Sequence, residues 1–310
     1  MADSRSSVPV SLPASMAVFE RGWLSSNNIL FTGEQQTALV DSGYMSHQRQ
    51  TLALVQHALG ERKLDLLINT HLHSDHCGGN AILQQAYGCR TLVPVADAAA
   101  VAAWDEEQLT YKATGQQCER FTAEGSLSPG EFLELGGLQW QVLAAPGHDP
   151  HSLILYCASE AILISADALW ENGFGVIFPE LENASGFAEQ ADVLQLISGL
   201  DVRVVIPGHG APFSNVAAAL DRARGRLDYL AADPRRNARN ALKVMMAFLL
   251  LEQRELSLQG LQGQVRQNRI MWAAAQKLDA PLAMLISTLA AELVQAGAAT
   301  VDGDRLLNAR

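Results

Sequence analysis

The stretch from Thr70 to Asn80 reads Thr-His-Leu-His-Ser-Asp-His-Cys-Gly-Gly-Asn, and no other feature constrains this chain as strongly. His71, His73, Asp75 and His76 crowd four metal-competent side chains together directly after the apolar run Leu64-Asp65-Leu66-Leu67-Ile68. The whole chain holds only 8 histidines among 310 residues, so chance placement is a poor explanation of the cluster. Imidazole nitrogens suit zinc or iron, and a carboxylate adds a hard oxygen donor.

The rest of the composition is that of a globular protein. Hydrophobic residues make up 48% and charged ones 18%, ample for a large buried core. No apolar run approaches the roughly 20 residues that span a bilayer. The N-terminal Met1–Ser7 stretch lacks a signal-peptide apolar segment and is expected to form a loose arm through residue 14. Cys77, Cys89, Cys118 and Cys157 show no CxxC pairing, which fits reduced thiols in a cytoplasmic protein. Charge is unevenly divided: 13 basic face 9 acidic residues after Leu220, against 9 and 24 before it. An acidic body of that kind repels nucleic acid, so neither nucleic acid nor membrane is an expected partner.

Strands are expected near 26–31 and 37–40, and Ser46 is expected to cap a helix reaching Leu59 through Leu52 and Val55. The strand 64–69 delivers the His-rich loop, and a helix over 79–87, a strand over 90–93 and a helix over 96–104 follow. Further strands are expected at 140–144, 153–157, 161–165 and 203–206, with a helix over 187–200 between the last two. This alternation implies an α/β sandwich over 15–215. From 216 to 310 the pattern turns helical, with runs at 263–277 and 281–296 and a terminal hairpin turning at Asp302-Gly303. A second, mostly helical domain is therefore expected there.

Three further donors share one kind of placement. His148 follows a Pro-Gly turn after a strand, Asp167 ends a strand, and His209 follows another Pro-Gly turn after a strand. Donors at strand ends sit on rigid elements and converge at one sheet edge. The ordered series His71, His73, Asp75, His76, His148, Asp167, His209 resembles the metallo-β-lactamase superfamily of metallohydrolases. Asp41, in Leu39-Val40-Asp41-Ser42-Gly43, looks like that superfamily's early Asp-x-Gly motif. The resemblance covers roughly residues 15 to 213 and implies a four-layer αββα sandwich with metals at the upper edge of two sheets. It also implies that His71, His73 and His148 hold one metal, that Asp75, His76 and His209 hold a second, and that Asp167 bridges them. Asp41 would orient the loop from behind. The hydroxyacylglutathione hydrolases (the glyoxalase II group) share the extended motif matched here from Thr70 to Asn80.

Two divalent cations in such a site, zinc by expectation with iron or manganese as alternatives, share a water and lower its pKa from about 15.7 toward 7. The resulting hydroxide attacks the carbonyl of a small acyl substrate, a thioester ahead of a lactone or ester, while a metal stabilises the oxyanion. Asp75 is the candidate catalytic residue, orienting the nucleophile and taking up its proton. A mononuclear iron oxygenase acting on persulfides, which shares part of the ligand series, is the competing enzyme reading. A regulatory or scaffold protein that retains the fold is the third.

Several neighbours bear on the site. Asp149 and His151 depart from the superfamily's usual Gly-His-Thr-x-Gly-Ser pattern and are expected behind or beside the ligands. Cys77 is read as a spacer before Gly78-Gly79, and His47 and His57 as surface residues. Trp170, Phe174 and Phe178, in the loop after Asp167, either wall an acyl pocket or plug the core beneath it. The C-terminal helices and hairpin look like a winged-helix-type appendage. Arg266 and Arg269 are its local candidates for touching DNA, although packing on the hydrolase or in a homodimer is expected instead. Arg235, Arg236 and Arg239 are placed to reach an anionic substrate.

Overall fold

The computed structural model describes residues 10–309. Strands β1 (Met16–Phe19), β2 (Asn28–Thr32), β3 (Thr37–Val40), β4 (Leu66–Ile68), β5 (Arg90–Pro94) and β6 (Gly125–Leu127) form one sheet in that order. Its first three strands pair antiparallel and β3 to β6 pair parallel. Strands β7 (Phe132–Leu135), β8 (Leu138–Ala144), β9 (Leu153–Cys157), β10 (Ile162–Ala166) and β11 (Val204–Pro207) form the second sheet, in reverse order across it. Parallel pairing between β10 and β11 requires a crossover, which the helix over Phe187–Ser198 supplies.

The helices are α1 (Gln48–Leu59), α2 (Ser74–Cys77), α3 (Asn80–Tyr87), α4 (Ala98–Ala103), α5 (Tyr111–Thr114), α6 (Phe187–Ser198), α7 (Val216–Ala231), α8 (Pro234–Gln253), α9 (Leu258–Gln267), α10 (Arg269–Gln276) and α11 (Leu282–Gln295). Alternation along the strands decides the layering. Ile29, Phe31, Val40 and Ile68 of the first sheet share one core with Trp140, Val142, Leu155 and Ile164 of the second. Phe31 and Trp140 meet edge to face across it, 5.4 Å apart. The intervening residues Leu30, Leu39 and Leu67 point the other way and bury Val55 and Leu59 of α1 and Leu83 of α3. On the far side, Ile154, Leu163 and Val205 bury α6 and α7. Helix, sheet, sheet, helix is the expected sandwich.

Sequence and structure differ locally in several places. Ser46 lies inside a 3-10 turn over Met45–His47 that has no side-chain cap, and α1 begins only at Gln48. His47 is half-buried rather than a free surface residue, its Nδ1 2.9 Å from Ser25 Oγ. The expected single helix over 263–277 is two helices broken at Asn268, whose extended backbone frees its side chain to accept from Met271 N at 2.9 Å. Of the expected loose arm, residues 1–9 lie outside the described residues. Its remainder is packed: Val10 and Leu12 lean on the inter-sheet core, and Arg203 donates to the Ser11 carbonyl.

The composition changes at 216, where α7 starts, yet Ala219, Leu220, Ala223 and Leu227 of α7 pack with the second sheet. Helices α8 to α11 form an apolar cluster around Leu242, Met246, Met271 and Leu289 that also takes in Ala113, Val176 and Leu181 from the preceding sandwich. Strands β12 (Glu255–Ser257), β13 (Ala299–Asp302) and β14 (Arg305–Asn308) edge it as a small antiparallel sheet, with the expected hairpin between the last two. Among the described residues, no helix is long and apolar enough to cross a membrane.

Candidate metal centre

Each donor reaches the site from the C-terminal end of a strand. His71 and His73 follow β4, and the helical turn α2 presents Asp75 and His76. His148 follows β8, Asp167 follows β10 and His209 follows β11. These seven residues fall into three overlapping groups of converging atoms: His71 with His73 and His148, His71 with His76 and Asp167, and Asp75 with His76 and His209. The structure thus brings together every residue that the sequence marked as a ligand.

Outer hydrogen bonds fix which ring nitrogen faces inward. His148 Nδ1 lies 2.6 Å from the Val176 carbonyl, which can only accept, so Nδ1 carries the proton and Nε2 turns a lone pair inward. His76 Nδ1 donates in the same way to Asp41 Oδ2 at 2.8 Å. Thr70 Oγ1 gives its own proton to Asp41 Oδ2 at 2.8 Å, leaving it an acceptor for His71 Nδ1 at 3.2 Å. His73 is turned round: its Nδ1 faces inward, and its Nε2 lies 3.7 Å from Asp149 Oδ2. Asp41 therefore stands behind the candidate donors, bonded to both Thr70 and His76. Its φ of 58° is unusual for a non-glycine, and the Thr70 amide, donating to Oδ1 at 2.9 Å, helps to hold it there.

The inward atoms crowd together. His73 Nδ1 is 3.1 Å from His71 Nε2 and 2.8 Å from His148 Nε2. His76 Nε2 is buried and has no hydrogen-bond partner among the described residues, and His209 turns its Nε2 toward Asp75 and Asp167. Converging lone pairs with an orphaned imidazole nitrogen are what a cation would satisfy, and the donor set fits zinc, iron or manganese. Electrostatics agree. Burial, then the neighbouring His76 and His73 rings, pulls His71 well below the usual histidine range. Burial, then the His73 ring, pulls His148 down to about 4. Burial also opposes charge on His76, but the Asp167 and Asp41 carboxylates outweigh it and hold that ring well above its ordinary value.

Two glycines make the space. A Cβ on Gly208 would collide with Asp167 Oδ1 and approach His76 Cε1, and one on Gly175 would collide with the His148 ring. Residues 21–209 match the family described as the metallo-beta-lactamase superfamily. The chain belongs to that superfamily.

Similar proteins agree with the placement. A hydroxyacylglutathione hydrolase of Rhodopseudomonas palustris (strain HaA2) is 30% identical over 119 residues, covering 38% of this chain and 39% of that protein. One of Rhizobium etli is 25% identical over 159 residues, 51% of this chain and 53% of that protein. The chain thus matches about half or less of the length of these curated relatives. Among solved structures, a metallo-beta-lactamase family protein from Thermus thermophilus superposes with a TM-score of 0.60 at 20% identity, over 96% of this chain and 100% of that one. The protein TTHA1623 in a di-iron-bound form gives 0.53 at 25% identity, over 67% and 98%.

The superfamily site here opens into a cavity of about 470 Å³ that α8 also lines, through Val244, Phe248 and Leu251. Phe178 presents its ring to His73 and His148, 5.1 and 5.5 Å away. Phe174 is fully buried among the core residues under the loop, so it plugs the core while its edge still borders the cavity. Trp170 packs on His209 at 5.3 Å and sends Nε1 toward Asp167 Oδ1 at 3.3 Å. His151 does not reach a ligand: its Nδ1 pairs with Asp97 at 2.6 Å, and its amide donates to Asp149. Cys77 is buried outside the donor groups, its Sγ 3.1 Å from Tyr111 Oη. His57 is exposed.

The anion-contact candidates need correction. Arg235 is held by Asp233, Arg236 by the Tyr229 carbonyl, and Arg239 by both oxygens of Glu292. None of the three lines the cavity. Arg269, one of the two DNA-contact candidates, is bridged to Glu182 and Glu107. Sequence reasoning also missed Trp23, which stacks on His209 at 5.5 Å with a 9° interplanar angle. No periodicity marks an exposed tryptophan before β2 as part of a site.

Proposed function

We propose that this superfamily member is a binuclear metal-dependent hydrolase of a small acyl compound, a thioester or a lactone or ester. One observation carries the reading. Asp167 sends Oδ2 to within 3.4 Å of His148 Nε2 and Oδ1 to within 3.4 Å of His76 Nε2, so one carboxylate faces both donor groups. A monometal site has no need of that arrangement. When bound, two divalent cations supply a water of near-neutral pKa and polarise a carbonyl. Zinc is the expected pair, with iron or manganese compatible.

The chain's own residues do the rest. Asp75 Oδ2 lies 3.1 Å from His209 Nε2, and that contact, countering burial, keeps Asp75 below its ordinary value, so it stands ionised beside the donors, where it can orient the attacking water. The apolar wall of Phe178, Val244 and Phe248 excludes water and takes the acyl group. The helical segment with its hairpin, which we read as winged-helix-like, closes the site. The activity named for the hydroxyacylglutathione hydrolases supports the thioester, and the di-iron form of TTHA1623 supports two metals. Elemental analysis of purified protein, paired with a panel of thioesters and lactones, tests this reading. Two metals per chain with hydrolysis abolished in Asp167→Ala is the expected result. A single iron with oxygen uptake on a persulfide would replace it with the oxygenase reading. A metallated protein that hydrolysed nothing and captured a partner would replace it with the scaffold reading.

A further inference from the structure

Within the same cavity, Arg226 differs from every cation the sequence had singled out. It sits on α7 between Ala223 and Leu230, on the stripe that otherwise carries Ala219, Leu220 and Leu227 into the core. Such a position on an apolar face ordinarily holds an aliphatic residue. Its guanidinium carbon lies 5.5 Å from the centre of the Phe174 ring, and its stem crosses Gly173, where a Cβ would come within 2.9 Å of Arg226 Cδ. Gly173 (φ 128°) therefore keeps a slot open for the arginine. Burial alone perturbs this guanidinium, lowering its affinity for a proton, and no carboxylate offsets it. Its Nε is buried without a hydrogen-bond partner, and it forms no ion pair among the described residues.

A second donor without an acceptor borders the same space. The Asn240 side-chain amide, on α8, is likewise buried and unpartnered. Lys243, the other cation lining the cavity, has a carboxylate partner in Glu292 at 3.2 Å, which it shares with Arg239, whereas Arg226 has none among the described residues. A half-buried guanidinium with a buried, unpartnered Nε is costly unless a ligand completes it. The Gly173 turn also ties this slot to the metal centre, since Trp170 N donates to the Gly173 carbonyl at 2.6 Å and Trp170 itself packs on His209.

We propose that Arg226, aided by Asn240, is a substrate-anion site that recognises a carboxylate carried by the acyl compound. The proposal rests on the hydrolase reading for the word substrate, and on the unpaired donors for the anion. One guanidinium balances one negative charge, and its planar fork matches a planar carboxylate. A phosphate dianion would keep an uncompensated charge among Phe174, Phe248 and Val244. The class indicated is an acyl compound with an apolar body and one free carboxylate.

Calorimetric titration of the metal-loaded full chain with phenylbutyrate, its neutral amide and phenylpropyl phosphate tests this. The carboxylate is expected to bind on the order of 10–100-fold more tightly than the amide. Arg226→Met should erase that ratio without changing amide binding, melting temperature or metal content. Arg226→Lys should retain part of it, because an ammonium supplies charge without the fork. Carboxylate binding that is equal in wild type and Arg226→Met would mean that the metals hold it, and would overturn the assignment. So would no preference over the amide, or a preference for the phosphate. Should Arg226→Met fail to fold, Arg226→Lys and Asn240→Leu carry the test, and an unchanged ratio in both overturns it. The two readings fail separately. A chain that shows the ratio yet cleaves no acyl compound keeps the anion site and loses the hydrolase. One that cleaves neutral and carboxylated esters equally, with Arg226→Met unchanged, does the reverse.

Discussion

Asp41 and His76 are joined by a 2.8 Å hydrogen bond that links the end of β3 to the helical turn carrying two of the metal donors. The bond fixes the His76 tautomer, and the same carboxylate steadies Thr70 at the mouth of the loop. Replacing Asp41 by Asn should leave the fold intact and weaken metal retention about 10–100-fold. Competition against a graded chelator series, read by elemental analysis, measures it; unchanged retention would remove Asp41 from the site.

Gly208 is the floor on which Asp167 rests. Gly208→Ala should displace that carboxylate, cost about 1–3 kcal/mol in stability and cut metal occupancy. Denaturant melts with and without added zinc separate the two effects. A variant that takes up metal like the wild type would show that Asp167 has room to move.

Trp23 and Trp170 both contact His209, whereas Trp104, Trp140 and Trp272 lie elsewhere. Cobalt added to the chelated protein should therefore quench part of the tryptophan emission. Changing both Trp23 and Trp170 to Phe should abolish most of that quenching. Persistent quenching in the double variant would place the ion away from His209.

Phe248 lines the same cavity as His73, Asp75, His148, Asp167 and His209. Phe248→Ala should lower kcat/KM about tenfold for long apolar acyl groups and leave acetyl compounds little changed. An equal loss across chain lengths would mean that the residue supports the fold rather than the substrate.

Alkaline stability follows from a different site. Burial pushes the Cys89 thiol up to about 11, above its ordinary 9.0. The folded state thus holds this proton more tightly than the unfolded chain does. The contribution is complete below about pH 9 and disappears as pH rises through about 11. Denaturation curves between about pH 8 and 11 should fall more steeply for wild type than for Cys89→Ala.

Much of the metal site was legible because its chemistry dictates its spelling. His71, His73, Asp75 and His76 must be close in sequence to share one loop, and His148, Asp167 and His209 each follow a strand whose apolar run announces it. The αββα order was readable for the same reason, from strands that alternate with amphipathic helices. What escaped depends on long-range geometry. Trp23 reaches His209 from a distant segment, and nothing local requires an aromatic there. Among the cations, clustering drew attention to Arg235, Arg236 and Arg239, which are held by local partners and distant Glu292. Arg226 carried the better signal, a charge on the buried stripe of α7, and that signal shows only once the helix register is known. The break at Asn268 was missed because its cap competes with a helical pattern that is continuous on either side.

Phe248 and Val244 lie on α8, whose opposite face is locked into the C-terminal cluster through Leu242, Met246 and Leu249. The donor loops and this wall thus come from different stretches of one polypeptide that meet in a shared cluster, through Val176 and Leu181. Under the hydrolase reading, drift on the Val244 and Phe248 face of α8 can reshape what the chamber admits without altering a donor residue. New preferences would then arise from repacking a helix rather than from rebuilding the chemistry.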